Sequence, residues 1–276
     1  MKALYEKLYQ DYNNNEEYRE YVKLCQDANI RRCCKNSIQF EKLSHFVSMK
    51  GTQFDTSDVR LFVVGRAANG WKSLECKTAQ MFGDEADQEF SKVGFQWIEG
   101  IEDNFQSLHN KPKAGEKPYY LSSSPFWRVV SNIWCGLSNS NNRGEFINHI
   151  AWSNLYKISP EKGGNPTDKM CGWQFKACYK ILEAEIKAYR PTHILMITDY
   201  KRWFAPQNDY SFKGLFDDPK PLGSNYENKD IFVEGTAKFE LGGRMIPVVI
   251  TCRPEGRNEG KFVKEVLDFL RDDRNT

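Results

Sequence analysis

The chain has 276 residues and a mass of 32.1 kDa, and 39 Lys and Arg against 37 Asp and Glu leave a formal net charge of +2. A hydrophobic fraction of 40%, with 7 Trp, 13 Tyr and 18 Phe, supports a sizeable core and excludes global disorder, and the near-neutral balance excludes a protein that binds polyanions over its whole surface. No apolar run reaches the roughly 18 residues of a membrane span, and the opening MKALYEKLYQDYNNNEE lacks the apolar stretch of a signal peptide, so a cytoplasmic protein without a membrane partner is expected.

Tyr5, Leu8, Tyr9 and Tyr12, then Tyr18, Tyr21, Val22 and Cys25, recur at helical spacing among many charges, which predicts short helices over residues 1 to about 50. Residues 1–55 are therefore read as a helical N-terminal extension and 56–276 as the main domain. From Val59 to Val64 a short apolar run ends at Gly65, the pattern of a buried parallel strand that runs into a loop. Residues 74 to about 107 read as largely helical, and Lys111 to Pro118 as a loop; together 74–118 form an insertion. Pro125 suits a first helical position, and the helix that follows carries Trp127, Val130, Ile133 and Trp134. Ile147 to Ile158 predicts a second strand. Thr167 or Asp168 caps a helix with Phe175, Cys178, Leu182, Ile186 and Tyr189 on its apolar face, and Pro191 stops it. His193 to Thr198 predicts a third strand, and 206–229 a polar, turn-rich stretch. Phe232–Leu241 and Arg244–Thr251 flank Gly242-Gly243 as a hairpin, and a last amphipathic helix carries Phe262, Val266 and Leu270.

Strands that alternate with helices imply a three-layer α/β/α sandwich around a central, mainly parallel sheet. In such sheets ligands sit beyond the carboxyl ends of the strands, so three loops carry the functional expectations: 65–71, 153–166 and 252–257. Gly65 and Gly70 let the backbone approach a ligand, although GRAANG has neither the Gly-Lys-Ser/Thr of a phosphate loop nor a dinucleotide fingerprint. Asn154 carries the donors and acceptor that read a nucleobase edge, or it stabilises a turn. Phe126 beside Trp127 is a stacking wall for a base, or part of the core. Arg253 and Arg257 suit a phosphate clamp or a plain surface. The eight cysteines form no CxxC, and the four histidines stand at no metal spacing, which points to reduced structural thiols.

Taken in order, these segments resemble a family. Asn154-Leu155-Tyr156-Lys157-Ile158-Ser159-Pro160, Gly163-Gly164 and Asn165-Pro166-Thr167, followed by Cys178 and the apolar run from His193, are similar to the base-recognition segment and next strand of the iron–sulfur uracil-DNA glycosylases. Pro125-Phe126 resembles that family's Pro-Phe, whose ring stacks on uracil. Gly65 falls where its first motif begins, and Arg253-Pro254 falls where its second motif has His-Pro. The resemblance spans roughly 59–270 and implies a uracil-DNA glycosylase-like fold, with base-binding by Gly65, Phe126 and Asn154 and phosphate-binding by Arg66, Lys157 and Arg257. Its water-positioning place falls on Arg66 and Ala67, which leaves Asn69, two positions further on, as the local candidate to hold a water, and Arg253, at its His position, would stabilise the departing base.

The departures from the family are chemical. Arg66 and Ala67 stand where it carries an acid or Asn, Arg253 replaces its His, and of its four cluster cysteines Cys178 alone has a counterpart. No cofactor is therefore expected. The implied partner is nucleic acid, DNA before RNA, or a free nucleobase or nucleotide, with base excision weak, altered or lost. A scaffold that keeps the fold without the chemistry, and an enzyme of free nucleotides or nucleosides, are the alternatives. Arg66, Lys157, Lys162, Arg253 and Arg257 are expected to form a small cationic mouth at one end of the sheet.

Overall fold

A computed structural model describes residues 3–5, 7, 43–46, 48–67, 121–160, 165–205, 210–223, 228 and 230–271. Within them a seven-stranded mixed sheet takes the spatial order β2-β4-β3-β6-β9-β8-β7. Its strands are β2 (Met49–Lys50), β3 (Leu61–Ala67), β4 (Ile150–Tyr156), β6 (His193–Ile197), β7 (Asp217–Pro221), β8 (Val233–Leu241) and β9 (Arg244–Thr251). The central four, β4, β3, β6 and β9, run parallel, and β2, β8 and β7 pair antiparallel at the edges. A separate ribbon pairs β1 (Leu43–His45) with β5 (Ile158–Pro160).

Alternation along the strands sends apolar side chains to both faces. Phe62, Val64, Ile194, Met196 and Ile250 pack against α3 (Asp168–Tyr189) through Met170, Cys178, Leu182 and Ile186. Leu61, Val63, Leu195, Ile197 and Val249 pack against α1 (Pro125–Ser138) and α5 (Glu259–Leu270) through Trp127, Ile133, Phe262 and Val266. The result is helix–sheet–helix layering. No described helix is long and apolar enough to cross a membrane.

Local chemistry sets the element ends. The Thr167 side chain accepts from the Met170 N–H and caps α3, and Asn258 does the same for α5 from Lys261. Gly242 and Gly243 turn the β8–β9 hairpin at φ +60 and +81, the doubly left-handed turn that only glycine adopts without strain.

Three expectations change. Residues 43–50, read as part of the helical extension, contain β1 and β2, because each finds a partner strand far along the chain in β5 and β4. Of the rest of that extension, residues 3–5 are helical and most others lie outside the described residues, as does the whole insertion at 74–118. The strand expected over Ile147–Ile158 begins instead with a short helix, α2 (Phe146–His149), and breaks at Lys157 between β4 and β5. The stretch 206–229 holds an edge strand, β7, whose DDPKP sequence is charged and mostly exposed, as suits an edge.

Candidate functional site

Gly65 is the register partner of Asn154 across β3 and β4, near the carboxyl ends of both strands. A Cβ placed on Gly65 would stand 2.5 Å from Asn154 Oδ1 and 3.7 Å from Phe126 Cε2. Glycine here is required by space: any side chain would displace the Asn154 amide. These observations bring together Gly65, Phe126 and Asn154, which the sequence placed on three separate segments.

Each side chain is held from behind. Phe126 sits in the first turn of α1, partly buried, with its ring 4.9 Å edge-on to Trp127 and 6.4 Å from Trp152. Asn154 is 2% exposed, and its Nδ2 has no hydrogen-bond partner among the described residues. An unpaired buried amide costs roughly 1–3 kcal/mol, a cost that a ligand acceptor would remove. Its own carbonyl accepts from Lys157 Nζ at 2.7 Å, which fixes the backbone beneath the amide.

Lys157 does not stand at a phosphate. It is fully buried, and its ammonium donates to Glu185 Oε2 at 3.0 Å, to Ser153 Oγ at 2.5 Å and to the Asn154 carbonyl. The physical reason is that Glu185, near the C-terminal end of α3, supplies a buried counter-charge. Lys157 thus supports the Asn154 strand end from within the core.

Arg66, the last residue but one of β3, is partly buried, and its Nε donates to Asn165 Oδ1 at 3.1 Å. Arg253 is 47% exposed and paired with Glu255 at 3.1 Å. Arg257 closes a turn by donating its N–H to the Pro254 carbonyl at 3.1 Å, and its charge reaches the Cys252 thiol. Asn69 and Lys162 lie outside the described residues.

Three residues at the same edge were not read from the sequence as functional: Thr198, Asp199 and Arg202. Asp199 follows β6, is 7% exposed, and takes φ +74, a left-handed conformation uncommon for any residue but glycine. Burial raises its carboxyl pKa, while Arg66, Arg253 and Arg202 pull it back down. Thr198 Oγ1 is buried without a partner among the described residues. The signal available was modest: two polar residues directly after a buried apolar run, where ligands of parallel sheets bind.

No protein-family model and no curated protein matches the chain. The functional reading therefore rests on the juxtaposition of Gly65, Phe126 and Asn154. Among the described residues no three His, Cys, Asp or Glu converge as metal ligands. Burial pushes the Cys171, Cys178 and Cys252 thiols up to about 12, so all three stay protonated at neutral pH. Cys178, the counterpart of a cluster cysteine in the resemblance, packs in the core and donates to Gln174 Oε1 at 3.3 Å.

Proposed function

We propose that the chain is a uracil-DNA glycosylase-like protein that recognises a nucleobase in the crevice at the carboxyl ends of β3 and β4. The observation that carries this reading is the convergence of Gly65, Phe126 and Asn154: an aromatic ring, a buried amide whose Nδ2 is unpartnered among the described residues, and a glycine whose missing side chain lets that amide approach the strand. A base extruded from a strand, or free in solution, stacks on Phe126 and presents its hydrogen-bonding edge to Asn154. In this reading Arg253, at the position of the family's His, stabilises negative charge on a departing base, and Asn69, two residues beyond the family's acid position, holds the water. Because Arg66 and Ala67 supply no acid at the end of β3, base excision is weak, altered or lost, while base binding remains.

The test is binding and cleavage with oligonucleotides that carry a single uracil, in single and double strands, beside thymine controls. Uracil-dependent binding is expected, and Asn154→Ala and Phe126→Ala should each weaken it about tenfold or more, in line with roughly 1–3 kcal/mol for a base–edge hydrogen bond or a base–ring stack. Formation of abasic product would add catalysis to recognition. Binding that ignores the base, or that survives both substitutions, would sink the reading.

A further inference from the structure

At the end of the sheet remote from Gly65, Asn154 and α4 (Tyr200–Trp203), a cavity of about 540 Å³ opens where the chain leaves α3 and enters β6. Its walls come from the start of β3, the end of α3 and the β8–β9 hairpin, and each wall carries one arginine: Arg60, Arg190 and Arg244. Strand alternation puts the two strand arginines on one face. Arg60, one residue ahead of β3, is in phase with Phe62 and Val64, and Arg244 with Ile246 and Val248, all of which pack on the α3 side. Phe62 is level with Ile194, and Ile194 with Val248. Arg60 and Arg244 therefore stand two strands and two residues apart, about 12 Å between Cα positions at ordinary strand spacing and rise. The Arg190 carbonyl accepts from Arg60 Nε at 2.9 Å, which brings the end of α3 against the start of β3.

The fold itself does not consume these cations. The carboxyl end of a helix carries about half a negative charge, and one guanidinium answers it. Arg60 does so: its Nε goes to the Arg190 carbonyl and its Nη1 to the Ser57 carbonyl at 3.2 Å, and these bonds fix the group beside the cavity. The Arg190 and Arg244 side chains make no hydrogen bond or ion pair among the described residues. The single carboxylate on the lining, Asp55, is held by Lys50 at 2.5 Å, so no described acid neutralises the three arginines. Arg190 also ends α3 at φ +51 and ψ 55, the left-handed position that glycine or asparagine usually takes. A Cβ is disfavoured there by its approach to the following carbonyl oxygen, yet the residue at this position is one whose side chain reaches the cavity wall.

We infer that this cavity binds a small organic polyanion, a molecule with oxyanion groups on at least two sides of a carbon skeleton, of the polycarboxylate or phosphate-ester kind. The volume falls within the roughly 300–1,000 Å³ of small-molecule sites, and it far exceeds what one phosphate or carboxylate fills. Arginines on three walls meet anionic groups that are set apart, and each guanidinium fork matches two oxygens of such a group. Pro191, Leu241 and Ile246 line the same space and give the skeleton apolar contact. The site shares no residue with the Gly65, Phe126 and Asn154 cluster, and it stands whether or not that end of the sheet takes a base.

Titration calorimetry on the full chain at fixed ionic strength tests this with citrate and fructose 1,6-bisphosphate as probes, beside acetate and inorganic phosphate. At least one polyanion should bind about tenfold more tightly than either single anion. Arg190→Gln and Arg244→Gln should each weaken it about tenfold, the loss expected for one charge-assisted pair. Lys264→Gln removes an equal charge from an exposed position on α5, across the sheet, and should change nothing. A preference for citrate assigns a polycarboxylate, and a preference for the bisphosphate a phosphate ester. The site is overturned if neither polyanion binds, if the single anions bind as tightly, or if the arginine variants lose no more than Lys264→Gln. Arg190 and Arg244 are exposed, so both variants should unfold thermally with the wild type, which separates lost binding from lost fold.

Discussion

At the scale of single residues, the approach of Asn154 and Phe126 to β3 depends on an absent side chain. Gly65 was legible because a glycine that ends a buried apolar run marks a close approach at a strand terminus, and Phe126 and Asn154 were legible as polar or aromatic residues at element ends. What the sequence did not carry was their distance from one another. Asp199 escaped notice because its left-handed backbone, which a glycine or asparagine would have advertised, is imposed by two hydrogen bonds to Thr251. Lys157 was misplaced for a different reason: its partner Glu185 lies 28 residues on, and nothing local says that a lysine past a strand turns inward. The residue-scale prediction concerns Gly65. In Gly65→Ala the new methyl would stand 2.5 Å from Asn154 Oδ1, and because Asn154 is 2% exposed the amide cannot simply swing into solvent. Deoxyuridine binding should fall about tenfold, and the overpacking should cost about 1–3 kcal/mol of stability. Calorimetry beside thermal unfolding separates the two; a large loss of stability with unchanged binding would place the glycine in the core and not at the site.

At the scale of elements, the central strands, the three long helices and the glycine hairpin were legible because each carries its own period or turn chemistry. The edges were not. β1, β2 and β7 are 3, 2 and 5 residues long, too short for a period, and they exist because a longer neighbour offers hydrogen bonds. The helix layer over the α1 face has a tie of its own that no periodicity announces. Arg128 in α1 donates through Nε and Nη2 to both carboxylate oxygens of Glu259, the first residue of α5, and through Nη1 to the Ser122 carbonyl at 2.7 Å. The Arg128 bond holds the Glu259 carboxyl below its ordinary value of 4.5. A depressed folded pKa contributes stability above the unfolded value and loses it as pH falls through the folded one. Glu259→Gln should therefore cost about 1 kcal/mol at pH 7, the upper end for a partly exposed pair, and the gap to the wild type should close as pH drops below 4.5. Urea titrations across that range measure it. A gap that stays constant with pH would mean that the carboxylate's charge contributes nothing to holding α5 on α1.

At the scale of the whole molecule, the near-zero net charge conceals a buried ion pair that joins segments remote in sequence. Glu185 in α3 accepts from Lys157 past β4, from Ser153 within β4 at 2.6 Å and from the Tyr5 hydroxyl near the N-terminus. Tyr5 in turn accepts from the Ser48 N–H at 3.1 Å, and Lys157 Nζ lies 5.8 Å from the centres of both the Tyr5 and the Phe46 rings. One carboxylate thus links the N-terminal segment, the sheet and the helix beneath the candidate site. Neither partner is exposed, so removing one leaves the other charged in the core, at a cost of about 3–5 kcal/mol, whereas replacing both with apolar groups of similar volume is far milder. Since domains of this kind hold roughly 5–15 kcal/mol in total, a single loss is a large share. Glu185→Leu and Lys157→Met should each unfold at markedly lower urea, and the double variant should recover most of the difference, giving a coupling of about 2 kcal/mol or more in the mutant cycle. The double variant also removes the ammonium that holds the Asn154 carbonyl, so it should regain stability without regaining base affinity. Single variants with small, additive costs would show that the pair is solvated and that the three segments are joined by apolar packing instead.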